Sequence, residues 1–271
     1  WFPLLAGLSE LTFDPRPEIR RSALEVLFDT LKFHGENFSP GFWARVYDSI
    51  LLPIFDHVRA GEKHAPEGDA SPSNRDQPEA DAWLYQTCQH CLELVVDLTA
   101  HFYPAVVSVP EVFPRLLALL EGLAARPHEA LAACGIGALS RLLLTAGHLF
   151  DERAWRLAVG ALAGTMRRTL PDLAALADLA PGDEGGGEVG VDARAAVWSV
   201  WWRAAREVTT RAATQRLLIQ AAAELYFRHG ARLDAEALGA VCGALEASAA
   251  HAAKINADVE LRARLRRAGT L

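Results

Sequence analysis

The chain has 271 residues, 51% of them hydrophobic, and a formal charge of -7, with an isoelectric point near 5.7. That acidity argues against nucleic acid as the main partner, because binding phosphates through counterion release needs a basic face. No apolar run reaches the roughly 18 residues of a membrane span, and no charged n-region precedes an apolar h-region.

The first 31 residues, WFPLLAGLSELTFDPRPEIRRSALEVLFDTL, hold two leucine-rich patterns around a Pro-containing turn. Leu4, Leu5, Leu8 and Leu11 are expected on one face of a first helix, and Ile19, Ala23, Leu24, Leu27, Phe28 and Leu31 on one face of a second. Asp14 and Pro15 stop the first helix. Pro17 suits a first helical position, having no N–H to leave unpaired, and it biases Arg16 toward extended backbone. Such a pair is the signature of a HEAT repeat, which buries its apolar face only by stacking on neighbouring pairs. The predicted fold class is therefore all-α, a HEAT/armadillo-like α-solenoid of antiparallel helix pairs. In it, Asp14 and Arg20 are expected to form an exposed pair supporting the turn, worth about 0–1 kcal/mol.

A helix starting at Ser39-Pro40 carries Trp43, Val46, Tyr47, Ile50, Leu51, Ile54, Phe55 and Val58 at core spacing, with a kink expected at Pro53. Residues 61–80, GEKHAPEGDASPSNRDQPEA, are nearly free of bulky apolar side chains and read as a disordered insertion. Periodicity resumes with Leu84, Cys88, Cys91, Val95, Leu98 and Phe102, and a second helix pair from Val112 to Leu144 repeats the pattern of the first. Gly135 and Gly137 lie inside its second helix, where close approach of a neighbouring helix would explain them. A helix capped by Asp151 carries Trp155, Val159, Leu162, Met166 and Leu170. The acidic, glycine-rich PGDEGGGEVG, Pro181 to Gly190, reads as a second flexible loop. Three helical patterns follow, Ala193–Val208, Ala212–Arg228 and Asp234 to about Ile255, and then a short helix from Asp258. These readings divide the chain into helices over 1–60, a loop over 61–80, helices over 81–171, a loop over 172–191 and helices of the same solenoid over 192–271. No strand is predicted. Beginning without Met and in mid-pattern, the chain reads as a piece of a larger protein.

Candidate sites are few. Cys88, Cys91, Cys134 and Cys242 fall within apolar helical patterns, as reduced thiols of the cytosol or nucleus do. The CQHC stretch, Cys88 to Cys91, invites a zinc reading. In a helix, however, His90 points away from the face shared by both thiols, so no metal site is expected. Trp198, Trp201 and Trp202, at i, i+3 and i+4, form one aromatic stripe, read first as core and second as a partner anchor. Arg262, Arg264, Arg266 and Arg267 complement the dipole of a terminal helix, with contact to an anionic membrane or acidic partner as the alternative. No nucleophile with a base, no paired carboxylates in apolar surroundings and no glycine loop between strand and helix is found. His34, His57, His101 and His148 are isolated and read as surface or capping residues. No catalytic residue and no cofactor is expected.

Several stretches together resemble one family: WFPLLAGLSELTFDPRPEIRRSALEVLF, LLPIFDHVR, DAWLYQTC, LVVDL, RPHEALA, AGHLFDERAW and HAAKINADVELRARL, beginning at Trp1, Leu51, Asp81, Leu94, Arg126, Ala146 and His251. The family is that of the large brefeldin A-inhibited, BIG-type guanine-nucleotide exchange factors for Arf GTPases, of plant or algal type, in the region C-terminal to their exchange domain. The two loops and the Trp198 cluster depart from its pattern. The resemblance implies a non-catalytic scaffold acting in vesicle trafficking, cytoplasmic and peripheral on trans-Golgi and endosomal membranes. Its implied partners are Arf-family or related small GTPases, other trafficking proteins, the membrane surface or a second copy. A related trafficking scaffold without an exchange domain, of the Mon-two type, is the alternative.

Overall fold

The computed structural model describes residues 1–55, 77–179 and 191–267, with side chains for all of these except 77–86, 191–197, 264, 265 and 267. The chain is all-helical, and no strand occurs among the described residues. Twelve α-helices are described: α1 Phe2–Leu11, α2 Pro17–His34, α3 Pro40–Val46, α4 Gln77–His101, α5 Tyr103–Val107, α6 Val112–Ala124, α7 Glu129–Ala146, α8 Glu152–Arg168, α9 Leu173–Leu179, α10 Val191–His229, α11 Ala235–Ala257 and α12 Val259–Arg267.

Helix starts follow local chemistry. Ser39, Asp151 and Asp234 each take extended backbone, and their side chains accept from the N–H of Phe42, Ala154 and Ala237, pairing a donor that the first helical turn leaves open. Arg16 is extended (φ -85°, ψ 121°) before Pro17, as the proline requires. Pro53 does more than kink its helix. After Val46 the chain widens into a π segment, Tyr47–Leu51, and then tightens into a 3-10 turn, Leu52–Phe55, because a proline removes a ladder N–H and crowds the preceding turn. The carbonyl of Ile50, where the ladder changes register, accepts a 3.0 Å hydrogen bond from Ser9 Oγ.

Other elements differ from expectation. Helix α4 begins at Gln77, inside the stretch read as an insertion; Gln, Pro, Glu and Ala are all tolerated in a first turn. Helix α9 occupies part of the stretch read as the second loop, and the side chain of Asp172 accepts from the N–H of Ala175 at its start. Residues 61–76 and 181–190, read as loops from the sequence, lie outside the described residues. The two patterns Ala193–Val208 and Ala212–Arg228 form one helix, α10: no Gly or Pro interrupts them, and the Thr209 hydroxyl bonds back to the Ala205 carbonyl within the ladder. On α1 the expected apolar face is split, with Leu5 buried while Leu4 and Leu11 are exposed. Glu129–Leu149 is long and apolar enough to cross a membrane, which the sequence reading missed. More than half of that stretch is buried, with Leu131, Leu139, Leu142 and Leu143 in the core.

Packing runs along two rows. In one, α2 lies on α4, α4 on α7 and α7 on α10; in the other, α3 lies on α5, α5 on α6, α6 on α8 and α8 on α11. The pair α6/α7 joins the rows, and α1 packs on α2 and on the π segment Tyr47–Leu51. One apolar core extends from Leu5 through Trp43, Leu92, Leu139 and Trp155 to Leu225 and Ala244. Exposed ion pairs stitch successive helices at the rim: Asp97 with Arg141 (2.8 Å), Glu121 with Arg168 (2.7 Å) and Arg156 with Asp234 (3.2 Å). Each such pair is worth only about 0–1 kcal/mol. A buried polar link adds order: Gln215 Nε2 donates to the Met166 carbonyl (2.6 Å) and to Thr169 Oγ1 (2.8 Å).

The two helical glycines of α7 separate cleanly. A Cβ on Gly135 would lie 2.5 Å from the backbone N of Ala124 and 2.8 Å from Leu123 Cβ, whereas one on Gly137 would meet nothing within 4 Å. Close helix approach therefore explains Gly135 only. Gly135→Ala is expected to destabilise by about 1–3 kcal/mol through overpacking, and Gly137→Ala to stabilise by about 0.5–1 kcal/mol through helix propensity. Urea denaturation of both variants checks the pair, and equal shifts of the same sign would contradict the packing.

Candidate interaction surfaces

The turn between α1 and α2 places its charges differently from the predicted exposed pair. The Asp14 carboxylate is held by Arg16, from Nε, Nη2 and the backbone N–H, each at 2.9 Å. Those hydrogen bonds keep the carboxyl well below the usual range, at about 2. Arg20 is buried instead, and its Nη1 donates to the carbonyls of Asp14 (2.7 Å) and Pro15 (2.8 Å). It holds the turn by its backbone. Arg20 is thus buried and not exposed as expected, holding the carbonyls of Asp14 and Pro15, while the Asp14 carboxylate hydrogen-bonds Arg16.

The tryptophan stripe is also divided. Trp201 is 0% exposed and packs with Leu176, Ala177 and Ala205, while Trp198 and Trp202 are 41% and 57% exposed. All three rings touch edge to face, Trp198 to Trp201 at 5.7 Å and Trp201 to Trp202 at 4.7 Å. Leu173 of α9 and Leu261 of α12 close this second, small cluster. Trp201 is core, and its two neighbours form a fixed exposed edge. Of the basic segment, Arg262 is partly buried and Arg266 exposed, while the side chains of Arg264 and Arg267 lie outside the described residues.

Exposed aromatics that the sequence reading did not single out as candidate sites include Phe33 on α2 and Tyr226 and Phe227 on α10. Phe33 lines an open cleft with Asp29, Thr30, Lys32, His34, Asp97 and His101. Its charges are mixed, and Asp97 is already engaged by Arg141. Cys88 and Cys91 are buried; burial and then neighbouring Cys134 push the Cys88 thiol up to about 12, and burial pushes Cys91 up as well. Such thiols are poor nucleophiles and poor metal ligands at neutral pH. Among the described residues no group of three or more His, Cys, Asp or Glu could hold a metal ion.

His229, also unremarked in the sequence, is buried 5.3 Å from the Trp155 ring. Burial lowers its pKa, with the cations Arg228 and Arg232 and the nearby His148 adding to the effect against a backbone hydrogen bond at Leu144. The unfolded chain therefore takes up this proton first as pH falls. Stability is expected to be full above the unfolded pKa of about 6.5 and to fall below it, by at most about 1.4 kcal/mol per pH unit. Melting curves between about pH 7.5 and pH 5.5 check this, with His229→Asn removing that part of the slope.

Comparison with known proteins places these surfaces. The family model for the C-terminal region of Mon2 protein matches residues 1–73, and that for the BIG2 C-terminal domain matches residues 213–271. The Trp198 edge lies between them. Brefeldin A-inhibited guanine nucleotide-exchange protein 2 of Arabidopsis thaliana is 38% identical over 297 residues, covering 100% of this chain and 16% of that protein. Exchange protein 3 of the same plant is 37% identical over 279 residues, with the same coverage. The ADP-ribosylation factor guanine nucleotide-exchange factor sec71 of Schizosaccharomyces pombe is 23% identical over 172 residues, covering 63% of this chain and 9% of that protein. No solved structure matches. The chain spans about one sixth of the length of the plant relatives (16%) and is similar to them from end to end. It belongs to the family of the large brefeldin A-inhibited guanine nucleotide-exchange proteins, corresponding to a C-terminal region of them.

Proposed function

We propose that this chain is a non-catalytic regulatory segment of an Arf exchange factor, built as a HEAT-like α-solenoid whose outer surfaces bind partners during Golgi and endosomal vesicle trafficking. The observation that carries the reading is the two-row packing of α2–α4–α7–α10 and α3–α5–α6–α8–α11 over one continuous core. Each helix in a row touches its neighbours along the stack, as repeat architectures do, and stability is then spread along the rows. A repeat surface supplies binding free energy and orientation. It offers no group to displace nucleotide or magnesium, so chemistry belongs to another part of a longer protein. Arf-family GTPases, other trafficking proteins and the cytoplasmic face of the membrane are the proposed partners, and self-association is compatible with the same surfaces. The Mon2 match over residues 1–73 keeps a related scaffold without an exchange domain as the second reading.

The test is nucleotide exchange on Arf at vesicles by a longer exchange protein with and without this segment. Removing it is expected to change the rate or the membrane-bound fraction, because tethering near a GTPase raises apparent affinity by roughly 10²–10⁴ where geometry allows. Equal rates and equal recruitment would reduce the segment to a spacer.

A further inference from the structure

We propose that the Trp198–Trp202 edge of α10 is a contact surface for an anionic lipid bilayer. Trp198, Trp202 and Arg206 follow one another at four-residue spacing, so they share a face of the helix. All three are exposed. Beneath them Trp201 is fully buried, touching both indoles edge-on, so the two outer rings are held in place rather than free to fold back onto the core. Half-exposed indoles beside arginine have the composition of an interfacial contact. The ring enters the headgroup layer, its N–H stays at the wet boundary, and the guanidinium meets lipid phosphate.

Charge complementarity selects the occupant. The chain as a whole carries -7, which an anionic bilayer repels. Along 198–211, by contrast, there are three arginines and one carboxylate, Glu207. Both Arg211 Nε and Nη2 donate to Glu207 Oε1, at 2.9 and 2.7 Å, so that pair cancels and three arginines less one glutamate leave the strip a net charge of +2. Helix α12, whose Leu261 packs against the Trp201 cluster, adds with the residue before it Arg262 and Arg266 together with Asp258 and Glu260, and α9 with the residue before it adds Asp172 and Asp178, so the excess of positive charge lies on the 198–211 strip itself. A locally basic, aromatic strip on an acidic body meets an anionic surface in one orientation, and each arginine near such a surface contributes about 1 kcal/mol. An acidic protein segment would use the same cations, but it gains most from a groove, and these rings project from the outer side of their helix. The proposal rests on the regulatory reading only for where such a bilayer is met.

The test is vesicle co-sedimentation of the 271-residue chain with phosphatidylcholine alone and with phosphatidylserine added, alongside tryptophan fluorescence. Binding is expected with phosphatidylserine, with a blue shift of emission, and is expected to weaken as salt rises. Trp198→Ala/Trp202→Ala should abolish both signals while circular dichroism stays unchanged, since Trp201 remains to hold the core. Arg206→Gln should lower partitioning about five-fold, the equivalent of about 1 kcal/mol. No sedimentation with either vesicle, undiminished binding by the double variant, or binding to polyglutamate in place of vesicles would each overturn the proposal. None of these results depends on exchange activity, so failure here is distinct from failure of the regulatory reading.

Discussion

Trp201→Ala is expected to lower the stability of the end formed by α9, the first half of α10 and α12 by about 3–5 kcal/mol, the cost of truncating a buried tryptophan without full collapse of the cavity. The cluster around Trp201 is small, and its other fully buried members are Leu176, Ala177 and Ala205. No second large side chain can compensate. The rest of the molecule has its own core, running from Leu5 to Ala244 without needing Trp201. The loss should therefore appear as early local unfolding in hydrogen exchange over 173–179 and 259–267, with the protection of α4 and α7 unchanged. Trp198→Ala and Trp202→Ala, at exposed positions, should each stay within about 1 kcal/mol. A single global transition shifted equally by all three variants would show that this end is not a separate cooperative unit.

Arg20→Ala comes second, at about 2–4 kcal/mol. Two charge-assisted hydrogen bonds hold the carbonyls of Asp14 and Pro15, and such bonds are worth about 1.5–3 kcal/mol where burial leaves the acceptors without water. The side chain also fills space under the turn. Arg16→Ala breaks a shorter-range pair whose guanidinium is 68% exposed, so it should cost under about 1 kcal/mol. Lysine at position 20 should restore little, since one ammonium cannot reproduce a planar guanidinium aimed at two carbonyls. Chemical denaturation of Arg16→Ala, Arg20→Ala and Arg20→Lys checks the ranking, and a larger loss for Arg16→Ala would reverse it.

Much of the fold was legible because helix punctuation is local. Ser39, Asp151 and Asp234 announced their helices, and apolar spacing marked Leu24, Leu27, Val159 and Leu162 as core. What escaped depends on tertiary packing. Trp198, Trp201 and Trp202 span roughly 100° of helix circumference, and the margin of the core runs through that arc, which spacing cannot locate. Arg20 is buried because its donors meet two backbone carbonyls, partners that carry no sequence signal. Gly135 and Gly137 look alike in the sequence and differ only in whether Leu123 and Ala124 stand opposite. Residues 209–211 resembled a break between helices because Thr and Arg carry no core periodicity, yet nothing there stops a helix from continuing. The surfaces were least legible of all, since exposed Phe33, Tyr226 and Phe227 look like core residues in a sequence.

The central claim is that this region works through its surface and not through a reacting group, and release of fluorescent nucleotide from Arf by the chain alone tests it most directly. With the chain in excess, on phosphatidylserine vesicles, the release rate is expected to equal that of Arf without added protein. Acceleration of release by the purified chain, lost on disrupting a defined set of its side chains, would contradict the account.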